Sequence, residues 1–322
     1  KSYLEDANVP ENEKSFQAYL HKLLAGNISL TEEQRKVLGT AQRGPLSDLY
    51  KYHADAVSNQ EKIDEINAEI KAIVEDSKII KKEKIETSIN GAQAWKIAYI
   101  SSDVAGRKTI STGLIISPTG PAPKEGRPIL AWAHGTTGSA QNCGPSQIID
   151  PTRPLNQYFL ANGNSWTDFG IPNGQEFINQ GYVVVATDYQ GLGGGGKHQY
   201  AVAATNGRDV INSARAASSM KEVGAGKKTV VYGWSQGGGA TIAAASLPEY
   251  QAQQGTAADN LEYLGFVALA PEDVAAVIPK VPTDEVEANK IMDGFTAANV
   301  PNVFLFAHFM MGLWGAQAAF PD

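Results

Sequence analysis

Cysteine is nearly missing from this chain. Cys143 is the single one in 322 residues, so no internal disulfide framework and no multi-thiolate metal centre is available. In an exported protein, one thiol of this kind would lack a partner. Charge is also sparse, at 19% of residues, and the balance is acidic, with a formal net charge of -7. Neither nucleic acid nor an anionic membrane surface is therefore expected as a partner. No hydrophobic run is long enough for an integral membrane segment or a leader, although a mature exported chain whose leader has been removed would look the same. The C-x-x-C and H-E-x-x-H spacings are missing, as is the phosphate-binding G-x-x-x-x-G-K, so no metal and no cofactor is expected. Gly191-Leu192-Gly193-Gly194-Gly195-Gly196 formally satisfies G-x-G-x-x-G. It reads as a flexible loop, because no helix with a ribose-binding carboxylate follows at the right distance.

What is present is ordinary globular material, 43% hydrophobic, enough for one large domain with an appendage. The most informative stretch is Gly233-Trp234-Ser235-Gln236-Gly237. A bare G-x-S-x-G is weak in a chain this rich in Gly and Ser, so the flanks decide. Upstream, Thr229 to Tyr232 is β-branched and aromatic and predicts a buried strand. Downstream, Gly238 to Ala245 is small and helix-compatible. A strand, a tight glycine-flanked serine and a helix make the setting of a nucleophile elbow, in which a strained turn exposes the serine hydroxyl. A second signature precedes it. Pro128 to Ala133 is an apolar strand running into His134-Gly135-Thr136-Thr137-Gly138. An acyl-transfer enzyme needs two N–H groups aimed at the developing oxyanion, one from the residue after the nucleophile and one from such a loop. Gln236 would supply the first and Thr137 or Thr136 the second, with His134 itself structural.

Residues 1–85 are rich in Lys, Glu and Gln. Ile63, Ile66, Ile70, Ile73 and Val74 form one apolar helical face, and Ser29 to Glu33 resembles a capped helix start. This stretch is expected to be a helical extension lying on the main domain. Residues 86–275 alternate apolar strands and helices. The segments 94–101 and 109–117 read as an antiparallel pair; 129–133, 181–188, 229–232 and 264–271 read as further strands, and 206–223 as a helix. Such alternation predicts a doubly wound, mostly parallel α/β sheet. Residues 276–322 are expected to begin a helical cap, since Phe304 to Trp314 is apolar nearly all round.

His134 to Gly138, Asn142 to Ser146, Gly181 to Gly193, Tyr232 to Gly238 and the closing Gly315 to Asp322 resemble the secretory lipase family, the lipase A type of fungi and its bacterial relatives. The resemblance covers roughly residues 90–322 and implies an α/β-hydrolase fold and a secreted or periplasmic serine hydrolase of esters or lipids. By motif position Ser235 is the nucleophile, and the N–H groups of Gln236 and Thr137 or Thr136 are the oxyanion donors. In some members the cysteine matching Cys143 pairs with a later one. The fold orders its triad Ser, Asp or Glu, His, and the family places acid and base beyond Asp322. Of the histidines only His308 follows Ser235, and it sits within the apolar run; Asp259, Asp273, Asp284, Asp293 and Asp322 lack a strand-end setting. The expectation is that the seventh and eighth strands, with the triad Asp and His, belong to a C-terminal fragment of the same protein. An acyl transferase or peptidase on the same elbow, and a non-catalytic binding protein of this fold, are the competing readings.

Overall fold

The computed structural model describes residues 78–148, 151–152, 170–252, 261–272, 282–299 and 302–321. The helices expected before residue 78 lie outside the described residues. Seven strands follow in chain order: β1 (Ile79–Ile85), β2 (Ala92–Ser102), β3 (Lys108–Pro118), β4 (Arg127–Ala133), β5 (Val183–Thr187), β6 (Ala225–Trp234) and β7 (Glu262–Leu269). They form one sheet in the order β1-β2-β3-β5-β4-β6-β7. The pairs β1–β2, β2–β3 and β3–β5 are antiparallel, and β5, β4, β6 and β7 run parallel. The stretch 1–85, expected to be helical, thus contains a strand at its end. Ile79–Ile85 pairs antiparallel with β2, and the sheet gains one strand more than the sequence suggested.

The helices are α1 (Gly174–Asn179), α2 (Ala203–Ser219), α3 (Gln236–Ala245), α4 (Pro248–Gln251), α5 (Glu285–Asn299) and α6 (Val303–Ala319). The inner strands bury both faces. In β4, Ile129 and Ala131 enter the core under α2 and α3 with Val210, Ala214 and Ala240, while Leu130 and Trp132 enter the opposite core with Ile178 of α1. β5 divides likewise, Val183 and Val185 to one side and Val184 and Ala186 to the other. A strand covered on both sides reads as a continuous apolar run, which is why these segments were legible. Each fully buried Val, Leu or Ile among them contributes about 1.5–3 kcal/mol.

The Gly191 to Gly196 loop is a correction to the sequence reading: it is tightly fitted, not merely flexible. A Cβ on Gly193 would collide with the Thr112 hydroxyl, and one on Gly194 with the Ile110 carbonyl. The glycines let the chain cross β3 at backbone contact.

Candidate active site

Ser235 lies between the end of β6 and the first residue of α3, with φ 55 and ψ -118. A residue with a side chain in this region costs on the order of 1–3 kcal/mol and persists only where its surroundings impose it. Here they do. The Ser235 N–H donates to the Leu269 carbonyl at 3.0 Å, and its own carbonyl accepts from Gly239 at 3.1 Å and from Glu272 at 2.9 Å. The flanking glycines are required by space. A Cβ on Gly237 would fall on the Ala133 carbonyl, and one on Gly233 on the Gly237 carbonyl. The first turn of α3 therefore touches the end of β4 directly, and the His134 carbonyl lies 2.7 Å from where that Gly237 Cβ would be. Ser235 is half-buried, and its hydroxyl makes no hydrogen bond among the described residues.

The structure brings the loop after β4 to the same place. The Thr136 hydroxyl is 2.7 Å from the Tyr200 phenol oxygen, which donates to Glu272 Oε1 at 2.7 Å. Glu272 is the residue whose N–H holds the Ser235 carbonyl. The Thr137 hydroxyl is buried without a partner among the described residues. The main-chain N–H groups of Thr136, Thr137 and Gln236 likewise have none. As the first residue of its helix, Gln236 carries one of the N–H groups that no helical carbonyl can reach.

Behind these groups lies a buried polar layer. The Gln236 side-chain amide donates to His198 Nε2 and to Asn206 Oδ1, both at 3.1 Å, and His198 Nδ1 donates to the Gln190 carbonyl at 2.7 Å. That arrangement fixes the neutral tautomer, and burial holds the imidazole at a pKa of about 4. His134 is fully buried, with Nδ1 2.6 Å from the Gly135 carbonyl. Burial lowers its pKa as well. The imidazole is a strand-end anchor, as its position directly after β4 suggested. Asp188, at the end of β5, accepts from the Thr112 hydroxyl at 2.6 Å, the Ser146 N–H at 2.9 Å, the Gln147 amide at 3.1 Å and the Ser146 hydroxyl. A Cβ on Gly144 would meet the Asp188 carboxyl at 2.7 Å. The Asn142 to Ser146 motif is thereby a segment docked on Asp188.

The His308 ring, on α6, lies 6.3 Å from that of Tyr200. Burial raises the pKa of the Glu272 carboxyl, while the Tyr200 bond and the His308 charge act against that rise. Glu272 and Tyr200 were not anticipated. Glu272 follows β7 almost directly, the strand-end position that the aspartates after Ser235 lack. Nothing in its spacing marks Tyr200, because only the fold returns its loop to the elbow.

The parallel strands, the sharp strand-to-helix turn and the strained serine at its apex define an α/β-hydrolase fold. Residues 175–286 match the family model of the secretory lipases, so the resemblance read from the motifs is shown over that stretch. No curated protein sequence matches the chain. Among solved structures it is similar to Candida antarctica lipase A in its closed state, with 20% identity, a TM-score of 0.43 and coverage of 54% of this chain and 39% of that one. It is also similar to a rice cell wall degrading esterase of Xanthomonas oryzae, with 20% identity, a TM-score of 0.41 and coverage of 54% and 46%. The chain thus spans less than half the length of either.

Proposed function

We propose that this chain carries the nucleophile of a secreted carboxylic-ester hydrolase, with an ester or lipid as its substrate. Ser235 attacks the acyl carbonyl to form an acyl-enzyme. The N–H groups of Gln236 and of Thr137 or Thr136 stabilise the oxyanion, and water then releases the acid. The observation that carries this reading is the Ser235 backbone: a serine held at φ 55 at a strand-to-helix junction, in contacts that leave room only for glycine at 233 and 237. Strain of this kind persists where exposing a side chain is useful. Triad base and acid are assigned to none of the described residues. The apolar helix α6 supports a second element of the reading, a cap beside the site mouth whose uncovered side receives the acyl chain. Among the described residues no helix is long and apolar enough to cross a membrane.

The test is labelling of the full protein with a fluorophosphonate, alongside hydrolysis of p-nitrophenyl esters. Labelling at Ser235, and loss of both labelling and turnover in Ser235→Ala, is the expected result. Loss of a triad nucleophile costs about six orders of magnitude where it has been measured. An unlabelled but folded wild-type protein points instead to a non-catalytic binding protein of this fold. A labelled protein that transfers acyl groups to amines or alcohols faster than to water points to the transferase.

A further inference from the structure

The Tyr200 phenol is a meeting point of three separate elements. Its oxygen lies 2.7 Å from the Thr136 hydroxyl of the loop after β4 and 2.7 Å from Glu272 Oε1 beyond β7. Its ring faces His308 of α6, and a Cβ on Gly315 of the same helix would collide with the Tyr200 carbonyl. The anchor of this chain is rigid. The Glu272 N–H is bonded to the Ser235 carbonyl, and Pro271 and Glu272 press on α3, where Cβ atoms on Gly238 and Gly239 would meet Pro271 Cα at 2.7 Å and the Glu272 carbonyl at 2.9 Å. The donor order follows from the chemistry. A phenol has one hydrogen. When it is given to an ionised Glu272, the Tyr200 oxygen can only accept from Thr136.

We propose that Thr136–Tyr200–Glu272 is a positioning chain that holds the oxyanion loop against the nucleophile elbow and loosens when Glu272 takes up a proton. This rests on the reading of Ser235 and its donors given above. With Glu272 ionised, the bond from Tyr200 is charge-assisted and polarises the bond from Thr136. Protonation removes the carboxylate charge, so that Tyr200 either donates to a neutral carbonyl oxygen or accepts from the new O–H. Both bonds become neutral, and charge-assisted bonds are about twice as strong as neutral ones. The groups facing Glu272 are the Tyr200 phenol, His308 of α6 and, at longer range, the buried Tyr189 phenol after β5.

The experiment compares the full wild-type protein with Tyr200→Phe, Glu272→Gln, Thr136→Val and the Tyr200→Phe/Glu272→Gln double variant. Hydrolysis of p-nitrophenyl butyrate is followed between about pH 5 and 9, together with the rate of fluorophosphonate labelling per folded molecule. Loss of an oxyanion donor outright costs roughly 10²–10³ in kcat, so a donor loosened but present is expected to cost roughly tenfold, with KM little changed. Tyr200→Phe, which keeps the ring, and Thr136→Val should both show this loss. The double variant should be no slower than Tyr200→Phe, because both changes cut one chain. The wild-type acid limb should steepen where Glu272 is protonated, and that second proton should vanish from the limb in Glu272→Gln. Wild-type rates per folded molecule in Tyr200→Phe and Thr136→Val, or an unchanged acid limb in Glu272→Gln, would overturn the inference while labelling of wild-type Ser235 left the function standing. An unlabelled wild type would remove both.

Discussion

At the scale of single residues, small changes of volume and charge should have sharply unequal effects. Gly237→Ala adds one methyl where the Ala133 carbonyl already sits. Overpacking of this kind costs typically 1–3 kcal/mol even where side chains can shift, and here the obstacle is backbone. Expected is a lowered unfolding midpoint together with loss of Ser235 labelling; a variant of wild-type stability and reactivity would mean that the elbow is looser than these contacts imply. Asp188→Asn replaces a buried four-bond acceptor by a group with one acceptor oxygen. With donors left unpaired at 1–3 kcal/mol each, a loss of at least about 2 kcal/mol is expected in denaturant unfolding, and retention of stability would show that the Gly144 to Gln147 segment does not depend on this carboxylate. His198 is testable through pH. Its folded pKa, about 4, is below the unfolded value near 6.5, so the unfolded chain binds the proton first. Its contribution is complete above pH 6.5 and is lost as pH falls toward 4, on the order of 3 kcal/mol. His134 acts in the same direction. Asp209 acts oppositely: burial raises it to about 6, and protonation below that value relieves a buried charge. Between about pH 7 and 4, the unfolding midpoint of His198→Gln should therefore fall less than that of the wild type, and an equal fall in both would remove His198 from the account.

At the scale of elements, α6 decides most. Asn302 Oδ1 accepts from the Leu305 N–H at 3.2 Å at its start. At its end Arg107, itself bonded to Asp103, donates to the Ala318 carbonyl at 3.3 Å and the Ala319 carbonyl at 2.7 Å. A cation at a helix C-terminus satisfies carbonyls that have no helical partner and complements the dipole. Phe309 meets Phe295 of α5 with ring centroids 3.9 Å apart. The α5 start has its own reciprocal cap, Asp284 accepting from the Glu287 N–H and Glu287 from the Thr283 N–H. Between its anchors α6 leaves Leu305, Met310, Leu313 and Trp314 exposed, Trp314 at 58%. Arg107→Ala should cost about 1–3 kcal/mol, as hydrogen bonds to a charged group do, and should make the 303–319 segment more susceptible to limited proteolysis; unchanged cleavage would mean that the helix is held elsewhere. Trp314→Ser should leave the unfolding midpoint nearly unchanged and weaken binding of an environment-sensitive apolar dye, because its indole is already in water. The apolar run was legible in the sequence as a helix with no polar face. Its anchors were not, since Arg107 is separated from Ala319 by 212 residues.

At the scale of the whole molecule, the α/β class, strands β2 to β7 within a few residues, and the elbow were legible in the sequence alone. These are local properties. A strand buried on both faces must be apolar along its length, and a turn too tight for Cβ atoms must carry glycine. The same logic placed His134 as a strand-end anchor and the loop after it beside the elbow. The features that were not legible are long-range. β1 was missed because an edge strand with Lys81-Lys82-Glu83-Lys84 at its centre has the composition of the charged stretch before it, and only pairing with β2 makes it a strand. Asp188 reads in the sequence only as the end of the 181–188 strand; the fold brings Gly144 to Gln147 to rest on it. Tyr200 and Glu272 carry no motif; they acquire a role because β7 turns back onto Ser235 and the loop after β5 returns over it. Hydrogen bonds and close contacts between segments far apart in the chain have no period for a sequence to display, so their partners become known only where the fold places them.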